Sequence, residues 1–360
     1  MRRININWAI NVVSLLLGCV CSQSVFANNG TNIEKGLSLY QQHCFVCHDS
    51  EGRGGVGTPL SLSSFINSVD DHYLSQTIRL GRPGRVMPAF ESLGTKNIGY
   101  LIDYMRSWTG IRPAAFPSDP VSGNTKNGQM LYQKHCANCH GKNGQGGQGT
   151  GVTFSRTRDL PIMAPALNNK GFLQAARDTL IEKTLTEGRQ GTPMTSFTES
   201  GLTKKEIKDI VAFIRTFETT SEHKENQIKL ASESPVIVRE SSYDLDQTVE
   251  NLKNSVIGHN LKLIRVQQLD QGFVPENSGN KKQIIVYSCG FNFLYEALKT
   301  DPRVGLFLPC RVTVVEHKGK VLVMSVNPKR MSALFNNNEL DDMCNQMHDT
   351  YIDIIEEAIL

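Results

Sequence analysis

The chain writes one phrase twice: Tyr40-Gln-Gln-His-Cys44-Phe-Val-Cys47-His48 and Tyr132-Gln-Lys-His-Cys136-Ala-Asn-Cys139-His140. A Cys-x-x-Cys-His run is the attachment signal for c-type haem, in which both thiols add to the vinyl groups and the adjacent histidine gives an axial nitrogen to iron. Zinc competes, because two Cys-x-x-Cys pairs can build a four-thiolate site. A zinc site, however, needs no histidine directly after each second cysteine, and both copies have one. The phrase therefore predicts two covalently bound haem c groups, on Cys44, Cys47 and His48 and on Cys136, Cys139 and His140.

The repetition reaches well beyond the cysteines. Gly36-x-x-x-Tyr40 matches Gly128-x-x-x-Tyr132, each reading as a short helix that ends in the cysteine turn. Glycine-rich loops follow, over Gly52–Gly57 and Gly144–Gly149, then Pro59-Leu60 and Pro165-Ala-Leu167. Thr77-Ile-Arg-Leu-Gly-Arg-Pro-Gly-Arg-Val-Met87-Pro88 parallels Thr184-Leu-Thr-Glu-Gly-Arg-Gln-Gly-Thr-Pro-Met194, and each copy closes with an amphipathic helix, Asn97 to Trp108 and Lys204 to Phe217. His48 to Pro59 spans 11 positions and His140 to Pro165 spans 25, so aligning the prolines gives copy two a 14-residue insertion, roughly Thr150 to Ala164.

Length suits two or three domains: 360 residues, 39% of them hydrophobic, bury real cores. The balance of 38 basic and 35 acidic residues leaves +3, which points neither to nucleic acid nor to wholesale binding of anionic membranes. Residues 1–27 read as a secretory signal: Arg2 and Arg3, an apolar stretch from Trp8 to Val20, and small residues at Val25 and Ala27 before the cut. A competing reading takes Leu16-Leu-Gly-Cys19 as a lipoprotein site, in which case a lipid on Cys19 tethers the protein to a membrane. Export to the periplasm agrees with covalent haem attachment, which takes place outside the cytoplasm.

The expected partition is a signal over 1–27, a first haem domain over 28–112, a second over 125–218, a charged linker over 219–234 and a third module over 235–360. Ile111 to Asn124, rich in Pro, Ser, Gly and Asn, reads as the linker between the haem domains. In the third module Val236-Ile-Val, Leu261-Lys-Leu-Ile, Ile284-Ile-Val-Tyr, Val312-Thr-Val-Val and Val321-Leu-Val-Met read as strands. Leu245, Val249, Leu252 and Val256 mark a helix, Lys318-Gly-Lys320 a hairpin turn, and Leu340, Met347, Tyr351 and Ile355 one face of a long final helix.

On these residues the first two modules resemble class I cytochrome c domains, over about 85 to 95 residues in each copy. The fold class implied is two all-α cytochrome c domains in tandem plus a C-terminal α+β domain with a mainly antiparallel sheet. The resemblance implies histidine–methionine axial ligation, His48 with Met87 and His140 with Met194. Met105, inside the closing helix, and Met163, inside the insertion, are the competing methionines, and neither has a counterpart in the other copy. A thioether is a soft, weak donor that favours ferrous iron and so raises the potential. Iron filled on both axial sides is built to pass single electrons.

The same resemblance implies that the Pro59 and Pro165 carbonyls accept a hydrogen bond from the outer nitrogen of His48 and His140. It also implies that Gly36 and Gly128 let helices cross closely, with Tyr40, Tyr104, Tyr132 and Phe213 packed as structural aromatics. Arg79, Arg82 and Arg85 read either as a solvated loop or as a positive rim that steers a partner.

The third module is similar to domain of unknown function 302, on Gly305-Leu-Phe-Leu-Pro309-Cys310-Arg311-Val312, the following strand and Asn327-Pro328. Its Cys289, Cys310 and Cys344 read as buried apolar residues, as a disulfide pair with one left over, or as a reactive thiol or soft-metal site. The functional expectation is an exported dihaem carrier between protein redox partners, a donor dehydrogenase and a terminal acceptor, in a respiratory or sulfur-oxidation chain. The alternative is an enzyme, or its haem subunit, that oxidises a thiol- or thiosulfate-like compound bound by the third module.

Overall fold

A computed structural model describes residues 30–55, 57–113, 115–147, 164–219, 232–275 and 278–360. The expected signal with Cys19, Met163 with most of the insertion, and most of the second linker lie outside them.

Helices come first in the chain: α1 (30–43), α2 (Phe45–His48), α3 (Ser63–Ile66), α4 (Asp71–Leu80), α5 (Gly94–Ser107), α6 (Thr125–His135), α7 (Ala137–His140), α8 (Lys170–Ala175), α9 (Asp178–Glu187) and α10 (Lys204–Thr216). The α+β part follows as β1 (Val236–Ser241), α11 (Leu245–Gly258), β2 (Lys262–Gln268), β3 (Gln283–Cys289), α12 (Phe291–Thr300), β4 (Arg311–His317), β5 (Lys320–Val326), α13 (Lys329–Leu334) and α14 (Asp341–Ile359). Two compact units form. One contains Met1–Gly81, Ala89–Gln129 and Leu173–Ala212; the other contains Arg82–Pro88, Met130–Phe172 and Phe213–Leu360. The division cuts across both sequence repeats, and the short segment carrying Met87 groups with the C-terminal module.

In the first unit α1 and α5 cross at Gly36, where a Cβ would stand 2.1 Å from the Tyr100 carbonyl oxygen, so no larger residue fits. Asp70 caps α4 by accepting from the Tyr73 amide at 2.8 Å, and Gly81 ends that helix at a φ of 62°. The buried Arg106 of α5 pairs with Asp71 at 2.9 Å and donates to the carbonyls of Val69, at 2.8 Å, and Ile66. The segment read as a plain linker is strapped down. Buried carboxylates take its amides: Asp70 from Phe116 at 2.9 Å, Asp178 from Val121 at 2.6 Å and Asp209 from Asn124 at 2.7 Å.

In the second unit the sheet has the order β1-β5-β4-β3-β2 and every neighbour pair is antiparallel. Alternation drives it: Val312 and Val314 of β4 and Val321 and Val323 of β5 face inward while their neighbours are less buried. Those valines share one core with Val249, Leu252 and Val256 of α11 and Tyr351, Ile354 and Ile355 of α14. Lys318 and Gly319, both at positive φ, make the two-residue turn between β4 and β5. The all-α plus α+β fold class is as the sequence implies.

Candidate haem-binding sites

Each cysteine pair sits on one tight helical turn. The amides of Cys47 and His48 both point to the Cys44 carbonyl, at 3.2 and 2.9 Å; those of Cys139 and His140 point to Cys136 at the same two distances. Asp49 in one copy and Gly141 in the other then turn the chain left-handed, at φ of 70° and 77°. Tyr40 and Tyr132 lock these turns, each hydroxyl donating at 2.9 Å to the carbonyl of that left-handed residue. Behind them Tyr40 packs on Tyr104 and Trp108, and Tyr132 on Phe213 and Phe217. The aromatics brace the turns, as the sequence implies.

The glycine loops return the chain to the histidines. Gly54 donates to the His48 carbonyl at 3.0 Å and Gly146 to the His140 carbonyl at 2.7 Å. A Cβ on Gly52 would strike the Trp108 ring and one on Gly144 the Phe217 ring, so both positions accept only hydrogen. Gly57 lies flat on the His48 ring, where a Cβ would come within 2.5 Å of Cε1.

His48 Nδ1 lies 2.8 Å from the Thr58 carbonyl oxygen, and His140 Nδ1 lies 2.9 Å from that of Pro165. This corrects the expectation at Pro59 and meets the one at Pro165. The reason is register. Ser61 donates to the Gly52 carbonyl and Asn168 to the Gly144 carbonyl, so Leu60 matches Leu167 and Thr58 matches Pro165. Proline at 59 is one step out of line. On the correct register His48 to Thr58 is 10 positions against 25 in copy two, an insertion of 15, and Thr58 to Met87 equals Pro165 to Met194 at 29.

A carbonyl can only accept, so each Nδ1 carries the proton and each neutral ring keeps a bare lone pair on Nε2. Burial lowers the pKa of both imidazoles against the opposing effect of these hydrogen bonds, which favours that neutral form. Two thiols one turn apart beside a fixed Nε2 donor, with a glycine against the ring face, fit covalently attached haem. They do not fit the zinc reading. Among the described residues no group of three His, Cys, Asp or Glu side chains converges to hold a metal ion.

The methionine segments are also built alike. The Arg82 amide donates to the Met87 carbonyl at 2.9 Å and the Arg189 amide to the Met194 carbonyl at 2.7 Å. Phe90 then donates to Ile78 of α4, and Phe197 to Leu185 of α9, both at 3.0 Å. Met105 is fully packed in α5. Of the arginines near Met87, Arg85 has its charge met locally, while Arg79 and Arg82 are half-buried. Arg79 donates to Thr95 at 3.0 Å, the Arg82 guanidinium lies 6.0 Å from the Phe172 ring centre, and Arg85 is ion-paired with Glu339.

In the C-terminal module a cavity of about 300 Å³ is lined by Cys310, Cys344, Met331, Met343, Met347 and Tyr351 among others. No disulfide joins Cys289, Cys310 and Cys344. Burial raises the pKa of all three thiols, that of Cys344 to about 12. Asn327 of the Asn-Pro pair is a buried fastener: its Nδ2 donates to the Ser234 carbonyl at 2.8 Å, and its Oδ1 takes the Lys329 amide at 3.0 Å.

Three family descriptions match the chain. "Cytochrome C oxidase, cbb3-type, subunit III" covers residues 31–105, "Cytochrome c" covers 125–218, and "Domain of unknown function DUF302" covers 237–358. Among curated relatives, a cbb3-type cytochrome c oxidase subunit CcoP from an Azospirillum species is 27% identical over 43% of this chain and 53% of its own length. The subunit FixP of Azorhizobium caulinodans is 27% identical over 44% of this chain and 50% of its own. The chain thus spans about half the length of the relatives it matches. A solved DUF302 protein from Bacillus stearothermophilus is 15% identical with a TM-score of 0.31, over 35% of this chain and 99% of that one.

Proposed function

We propose that this chain, which carries two cytochrome c-type domains followed by a DUF302 domain and binds haem c covalently, is an exported carrier of single electrons. Cys44 and Cys47 hold one haem and Cys136 and Cys139 the other. His48 and Met87 would hold the iron of the first, and His140 and Met194 that of the second. The observation that carries this reading is the duplicate frame: the same turn, the same Nδ1–carbonyl contact and the same methionine segment occur twice, 29 positions apart from acceptor to methionine.

The bound haem supplies a one-electron couple whose potential its axial donors set. The protein's own part is to hold still. Tyr40 and Tyr132 fix the cysteine turns, the Thr58 and Pro165 carbonyls fix the imidazoles and strengthen their donor nitrogen, and the arginine-to-methionine turns fix the methionine backbone. A site that changes little between its two charge states is suited to transfer rather than to substrate chemistry.

The relatives are named as oxidase subunits, which supports a terminal oxidase as partner; a dehydrogenase-type donor in the periplasm completes the proposed chain. No helix among the described residues is long and apolar enough to cross a membrane; a lipid on Cys19 would tether the chain to one. The rival reading, oxidation of a sulfur compound in the third module, has the thiol-lined cavity in its favour. Against it, the raised thiol pKa values leave little thiolate, the reactive form. Redox titration of the purified full chain with its M87A and M194A variants tests the assignment. Each substitution is expected to lower the potential of one haem only; unchanged potentials in either variant remove that methionine from the ligand set.

A further inference from the structure

The two methionine segments differ in what braces them. In Arg189–Met194 the brace is internal: the Thr192 hydroxyl donates to the Arg189 carbonyl at 2.8 Å and accepts the Met194 amide at 3.1 Å. At the matching position of Arg82–Met87 stands Arg85, whose guanidinium cannot accept an amide and donates instead to Glu339 and the Gln145 carbonyl. Its segment is gripped instead from the loop between α13 and α14.

Asn336, at a φ of 50°, presents its amide to that segment. Its Oδ1 accepts the Gly84 amide at 2.9 Å, and its Nδ2 donates to the carbonyls of Arg82 at 3.0 Å, Met87 at 2.9 Å and Arg85. The Asn338 amide donates to the Gly84 carbonyl at 2.9 Å, and Glu339 pairs with Arg85. Gly84 sits at a φ of 72°, and a Cβ there would stand 2.9 Å from the Asn338 side-chain nitrogen. One carboxamide thus meets four backbone groups within a six-residue turn.

We propose that Asn336 is a positioning residue for the first haem: the C-terminal module supplies, through this side chain, the brace that Thr192 supplies within the second copy. The proposal rests on Met87 being an axial ligand. It gives the third module a role without chemistry of its own, namely to set how firmly sulfur stays on one iron and not on the other. Asn336 acts through the Met87 backbone and touches no reacting atom.

The test uses the full chain with both haems. Added imidazole competes with a thioether for ferric iron, and the paramagnetically shifted methyl resonance of each ligand methionine reports each haem separately. The M87A variant assigns the first resonance. In Asn336→Ala, loss of about one to two net hydrogen bonds is expected to raise the affinity of the first haem for imidazole by about tenfold, with a shifted Met87 resonance. The second haem stays unchanged. Glu339→Gln, which keeps side-chain volume and leaves the carboxamide in place, is expected to move the same resonance in the same direction by less.

Wild-type imidazole affinity and an unmoved Met87 resonance in Asn336→Ala would overturn the proposal, as would equal changes at both haems. If M87A itself loses no ligand resonance, the ligand assignment fails first and the proposal falls with it. If Asn336→Ala does not fold, Asn336→Asp decides: it keeps an acceptor for the Gly84 amide and loses the Nδ2 donor, and an unmoved Met87 resonance there overturns the proposal.

Discussion

Nδ1 of His48 lies 2.8 Å from the carbonyl oxygen of Thr58, and this one contact decides which nitrogen the ring offers outward. The same relation at His140 and Pro165 shows that the frame, not the residue type, supplies the acceptor. Any residue with a carbonyl serves there. What the frame does require is hydrogen at Gly57.

Gly57→Ala should therefore damage the first site. A methyl group within 2.5 to 2.9 Å of the His48 ring forces the imidazole or the loop to move. The expected outcome is a fall in haem content from two per chain toward one, measured by absorbance of the purified protein against its protein concentration. Gly99→Ala is the control. Nothing lies within 4 Å of a Cβ there, and the helical position should gain about 0.5 to 1 kcal/mol of stability with haem content unchanged.

Asp209 predicts a pH effect with a definite sign. Burial pushes its carboxyl up, but hydrogen bonds from the Asn124 amide and Asn127 side chain, with Lys205 nearby, outweigh this and hold the pKa below the usual range. A depressed carboxylate adds stability that is fully present above its unfolded pKa, about 3.9, and is lost as pH falls through the lower folded value. Asp209→Ala should cost about 1 to 3 kcal/mol in urea unfolding at pH 7. The gap between variant and wild type should narrow below about pH 4.

The third-module cysteines should be slow to alkylate. Cys289 and Cys344 are buried, and burial holds the Cys344 thiol at about 12, so thiolate is scarce near neutral pH. Peptide mapping after iodoacetamide treatment should find both unmodified in the native chain and modified after denaturation. Fast native labelling of either would revive the reading of a reactive thiol.

Much of this architecture is written locally and so was legible. Strands such as Val312-Thr-Val-Val and Val321-Leu-Val-Met alternate β-branched residues with the pleat, and α11 keeps its apolar residues on one helical face. The helix α12, given no element in the sequence reading, was equally legible: Phe291, Leu294, Tyr295 and Leu298 recur at i, i+3, i+4 and i+7. Thr58 was hidden by a proline one residue later, and only the pairing of Ser61 with Gly52 reveals the register. The strap over Ile111 to Asn124 reads as linker because its partners are carboxylates far along the chain. Asn336 lies 249 positions from Met87, and no spacing rule reaches that far.

The most direct measurement is the intact mass of the purified mature chain, together with that of a variant carrying Cys136→Ala and Cys139→Ala. Attachment at both cysteine pairs predicts a polypeptide heavier by two haem groups in the wild type and by one in the variant. A wild-type mass equal to the bare polypeptide, or a variant that still carries two haems, would contradict the account.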